Sequence, residues 1–81
     1  MNVHVSFYSY FKDLTGAERV AEALPEGSTL EELYQRLIAR FPKLVNLRKS
    51  TLIAVGVEYQ GHDYVLRDGD EVALFPPVQG G

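Results

Sequence analysis

The sequence predicts an α+β fold in which one main helix packs on one face of a mixed sheet of four to five strands. Three observations carry this. Short segments at both ends alternate apolar and polar residues with the period of a strand. A single stretch in the middle repeats its apolar residues with the period of a helix. Eighty-one residues leave room for one domain with one core.

The first strand is expected from Val3 to Tyr10, with Val3, Val5 and Phe7 on one side and His4, Ser6, Tyr8 and Tyr10 on the other. Lys12-Asp13-Leu14-Thr15-Gly16 then reads as a turn, or one helical turn closed by glycine. Glu18 to Leu24 reads as a returning second strand, ended by Pro25-Glu26-Gly27. The helix follows, with Leu30, Leu33, Leu37, Ile38 and Phe41 as its stripe. Ser28 with Glu31 and Thr29 with Glu32 both fit the capping box at its start. Glu31 and Glu32 near its start and Arg40 near its end complement the helix dipole, and Pro42 is expected to stop it.

After a loop, Leu52 to Val57 reads as a buried strand, and Glu58 to Gly61 as a short companion. Asp68-Gly69-Asp70 is a turn before a last strand, Glu71 to Phe75, which Pro76-Pro77 cuts off. Sharing one core across the helical connection calls for the first and last strands to lie central and parallel. That topology is the β-grasp, or ubiquitin-like, arrangement.

Composition narrows the function. Apolar residues form 46% of the chain and charged residues 23%, the balance of a globular protein. A net charge of −3 argues against nucleic acid as a ligand. No run is long enough to span a bilayer, so no membrane partner is expected. With no cysteine there is no disulfide or thiol chemistry, which suits a cytoplasmic location. His4 and His62 lack ligand spacing, and Asp68-Gly69-Asp70 lacks the remaining ligands of a calcium loop, so no metal is expected. Arg36, Arg40, Lys43, Arg48 and Lys49 read mainly as a solvated face.

The residues with chemical meaning close the sequence. We divide the chain into a domain over residues 1–76 and an extended tail over 77–81. The paired prolines favour a stiff extended stalk, and Pro76, Pro77, Val78, Gln79 and Gly80 would thread into a partner. Gly80 and Gly81 carry no side chain, so they fit a narrow channel and leave a carboxyl open to attack. A terminal glycine pair arises by chance in roughly 0.5% of chains at average composition. A carboxylate is a poor acyl donor, and no phosphate-cradling loop is present, so ATP-dependent activation would fall to a partner enzyme. The chain is then a substrate and carrier with no catalytic side chains or bound cofactor of its own. The alternation places Tyr8, Phe75 and Leu52 together on the face away from the helix, an apolar docking surface beside the tail.

From Asp68 to Gly81 the sequence resembles, almost residue for residue, the ending of the small subunits of molybdopterin synthase, within the wider family of β-grasp sulfur carriers. The Phe7-Tyr8 strand end, the Lys12-Asp13-Leu14 turn, the Thr29-led helix and the Leu52-Ile53-Ala54-Val55 strand extend the resemblance more loosely over the whole length. Gly56, where asparagine is usual, and Ser6, where an apolar residue is common, depart from it. The resemblance implies that an adenylating enzyme similar to ubiquitin-activating enzymes consumes ATP to activate Gly81. A persulfide sulfur then leaves a thiocarboxylate there, and the sulfur passes to a pterin precursor in the large subunit during molybdenum cofactor synthesis. It also implies a heterotetramer with two copies of each subunit, and a basic Lys12 able to pair with an acidic partner. Sulfur carriers for thiazole, cysteine or tRNA thiolation, a ubiquitin-like modifier, and a plain interaction module are the alternatives.

Overall fold

Alternation at both ends of the chain builds the sheet as expected, and the computed structural model describes residues 1–77. Strand β1 (Asn2–Phe7) buries Val3, Val5 and Phe7 completely or nearly so. Helix α1 (Tyr10–Thr15) and strand β2 (Arg19–Ala23) follow. Helix α2 (Leu30–Arg40) continues into a 3₁₀ helix at Pro42–Leu47. Strands β3 (Leu52–Val55), β4 (Glu58–Tyr59) and β5 (Glu71–Phe75) complete the chain order. The sheet order is β2-β1-β5-β3-β4. Strands β1 and β5 pair in parallel at its centre, and the other pairings are antiparallel. This is the β-grasp topology.

One face of the sheet meets α2. Val72, Leu74 and Ile53 join the β1 residues against Leu30, Leu33 and Leu37, and Phe7 meets Phe41 edge-to-face at 5.6 Å. Tyr34, absent from the expected stripe, is also buried. Its hydroxyl donates to the Leu44 carbonyl at 3.0 Å and lies 3.2 Å from Thr51 Oγ1, so the polar atom enters the core with partners. Burial, the larger cause, pushes the Tyr34 hydroxyl above the ordinary tyrosine value of 10.0, against the opposing hydrogen bond from Thr51.

Four local expectations change. Strand β1 ends at Phe7, because Ser9 adopts φ 58° and turns the chain into α1, which takes Tyr10. Only the Thr29–Glu32 capping box forms; the Ser28 hydroxyl donates instead to the Pro25 carbonyl. Pro42 ends α2 but opens the 3₁₀ helix, where its missing N–H costs nothing. Strand β3 stops at Val55 because Gly56 takes φ 63° to turn the hairpin. Glycine and asparagine both reach that conformation readily, so the departure at Gly56 leaves the turn intact.

The basic residues are less free than expected. Arg40 pairs with the nearly buried carboxylate of Glu22, and Arg48 pairs with Glu31. No helix among the described residues is long and apolar enough to cross a membrane.

Candidate functional site

The sheet face away from α2 carries the candidate site, and strand register explains its make-up. Inward Val72 and Leu74 turn Ala73 and Phe75 outward. Phe75 lies opposite Leu52, Ala73 opposite Ala54, and Ser6 beside Ala73. Tyr8, just past β1, stacks on Phe75 with ring centroids 4.8 Å apart and planes 10° from parallel. The backbone N–H of Tyr8 donates to the Leu74 carbonyl at 3.3 Å, which ties the ring to the end of β5.

Tyr59 completes the cluster and was not among the expected residues. It meets Phe75 edge-to-face at 6.3 Å and is 67% exposed. Its pairing with Ala54 places it on the open face. The signal was present in the alternation of β3, had it been carried across the hairpin.

The face is divided. Near the tail it is apolar and aromatic, with Tyr8, Phe75, Leu52 and Tyr59 around the small side chains of Ser6, Ala54 and Ala73. Toward the start of β5 it is polar, with Arg19 paired to Glu71 at 2.8 Å and His4 beside Glu71 in register. Lys12 is exposed, 3.6 Å from Glu18, and lines a shallow depression with Tyr8 and Arg19. It borders the aromatic cluster.

Pro76 and Pro77 follow β5 outside regular secondary structure and are half-buried. The expected threading residues Val78, Gln79 and Gly80, and the reactive Gly81, lie outside the described residues. The two histidines are not brought together: His4 is on the open sheet face, whereas His62 lies near Tyr34 and Glu31. Among the described residues, no group of three or more histidine, cysteine, aspartate or glutamate side chains could hold a metal ion.

The topology and the aromatic end of the open face define a protein of the ubiquitin-like β-grasp class. Comparison with known proteins narrows this: the ThiS family model matches residues 5–81, and the chain belongs to that family. The molybdopterin synthase sulfur carrier subunit of Chlamydomonas reinhardtii is 31% identical over 83 residues, covering all of both chains. A solved structure from Pyrococcus furiosus, described as molybdopterin converting factor subunit 1, superposes with a TM-score of 0.87 at 30% identity. The match covers 95% of this chain and 98% of that one. A complex of subunits 1 and 2 of molybdopterin-converting factor from Helicobacter pylori contains a chain 26% identical, with a TM-score of 0.69 and full coverage of both.

Proposed function

We propose that this chain is a sulfur carrier, the small subunit of a molybdopterin synthase, working in the cytoplasm through a thiocarboxylate on Gly81. The observation that carries the reading is the full-length relationship to molybdopterin synthase sulfur carrier subunits, with a family match that runs through residue 81. The Gly81 carboxylate attacks the α-phosphate of ATP in an adenylating partner and releases pyrophosphate. A persulfide sulfur then attacks the acyl-adenylate and AMP leaves; a second thiol of a partner attacks the distal sulfur of the resulting acyl disulfide, which releases the thiocarboxylate and leaves the two partner sulfurs joined as a disulfide. Sulfur makes the terminus a better nucleophile while keeping it a stable anion. No cofactor resides on the carrier.

The second partner is the large subunit, into which the tail threads while the aromatic end of the sheet docks. The complex of the two Helicobacter pylori subunits supports such a partner. Two carriers and two large subunits form the proposed heterotetramer. Tyr8, Phe75 and Leu52 supply apolar contact beside the base of the tail, and Lys12 supplies a charge at its margin.

Intact mass spectrometry after incubation with ATP, an adenylating enzyme and a persulfide donor tests the reading. Exchange of one oxygen for sulfur on the C-terminal peptide is the expected outcome. Covalent adducts with other proteins would assign a modifier instead, and an unchanged mass with an active enzyme would remove the carrier reading. Co-purification of a large subunit identifies the pathway.

A further inference from the structure

The sheet has two edges, and only one is long: β2 contributes five residues and β4 two. Met1 and Leu24 exchange backbone hydrogen bonds, and Phe7 donates to the Glu18 carbonyl. With the observed register, this alternation points the N–H and C=O groups of Arg19, Ala21 and Ala23 away from β1, toward solvent. Such a row is a template for another strand. Here it is interrupted by two arginines one turn apart on α2. Arg36 Nη1 donates to the Ala23 carbonyl at 3.0 Å, and Arg40 Nη1 donates to the Ala21 carbonyl at 3.3 Å. Arg40 is held in place by its pairing with Glu22 and by its position over the Phe41 ring, 5.3 Å from the centroid.

We propose that Arg36 and Arg40 are guards that close the β2 edge, and that the strand excluded is β2 of a second copy of this chain. The edge is suited to pairing with itself. An antiparallel register centred on Ala21 sets Ala21 against Ala21, Arg19 against Ala23 and Val20 against Glu22, with no like charges opposed. Small outward side chains at Ala21 and Ala23 let two backbones approach. Of the three carbonyls that would accept across this new ladder, those of Arg19, Ala21 and Ala23, the arginines occupy the last two. The guard keeps the carrier's long edge from joining two sheets into one, and it lies on a different surface from the aromatic cluster. The inference does not depend on the sulfur chemistry.

The test uses the full chain. Arg36→Ala/Arg40→Gln/Glu22→Gln removes both guards and, through Glu22→Gln, leaves no unpaired charge buried beneath the edge. Sedimentation equilibrium is expected to show self-association at least about tenfold tighter than in the parent, the effect of freeing acceptors held by charged donors. Hydrogen exchange in the dimer should protect the amides of Ala21 and Ala23. Adding Ala21→Pro should abolish the dimer, because the proline removes only an outward N–H and spares the β1 ladder. A folded triple variant as monomeric as the parent overturns the proposal, as does a dimer that survives Ala21→Pro. If the triple variant does not fold, Arg36→Ala decides: it keeps the Glu22 pair, and unchanged self-association overturns the proposal.

Discussion

The two faces of the central strands are built from alternate residues of the same segments, yet they solve opposite problems. On β5, Val72 and Leu74 are sealed under α2, whereas Ala73 and Phe75 face away from it. On β1 and its extension, Phe7 is buried and its neighbour Tyr8 is 44% exposed. The covered face gains by excluding water from a close-packed set of aliphatic chains. The open face keeps large aromatic area in water, stacked upon itself, where only a partner can finish burying it. A single strand therefore separates a sealed face from the open face proposed for docking by side-chain parity, and substitutions at adjacent positions should give unlike results.

The strongest test of that separation is Leu74→Ala beside Phe75→Ala. Truncating Leu74 in the packed core should lower unfolding free energy by about 2–5 kcal/mol in urea denaturation. Replacing Arg40 by alanine strands the Glu22 carboxylate, whose side chain is 10% exposed; because Arg40 itself is 45% exposed and screened by water, the cost should be about 2 kcal/mol by the same measurement, below that of a fully buried pair. Phe75→Ala should instead weaken partner binding by more than about 1 kcal/mol in calorimetric titration, with stability changed less than by Leu74→Ala. Equal stability losses at positions 74 and 75, with unchanged partner affinity, would break the comparison.

Smaller effects sharpen it. Ser9 holds a left-handed backbone between Tyr8 and α1 without a side-chain cap. Ser9→Gly should raise stability by about 1 kcal/mol on relief of that strain, read from the denaturation midpoint. Tyr34 gives a pH signature of the covered face. Because folding raises its pKa, its contribution is fully present below the unfolded value near 10 and is lost as pH climbs through the folded one. Stability should therefore fall more steeply above that value in the parent than in Tyr34→Phe.

Period and punctuation made most of this architecture legible. Val3, Val5 and Phe7 announced β1, the leucine stripe announced α2, and Asp68-Gly69-Asp70 marked the turn before β5. The parallel centre of the sheet followed from the need for both ends to share the core. What escaped depends on contacts distant in sequence. Tyr34 lies four residues after Leu30 on the same stripe, but its burial relies on acceptors at Leu44 and Thr51. The basic cluster read as solvated, because nothing local reveals that Arg40 meets Glu22 or that Arg48 meets Glu31. The Tyr8, Phe75 and Leu52 face emerged from parity alone, while Tyr59 needed the hairpin register as well.

The placement of β5 between β1 and β3 has a consequence for synthesis. Strand β1 waits for β5, the last strand of the sheet in chain order, before its inner edge is paired, so the domain cannot close while β5 is still in the exit tunnel. A chain interrupted before residue 71 has neither its central ladder nor Phe75 for Tyr8 to rest on. Assembly of the aromatic face is thus timed by translation: the surface is completed only after residues 71–75 have emerged.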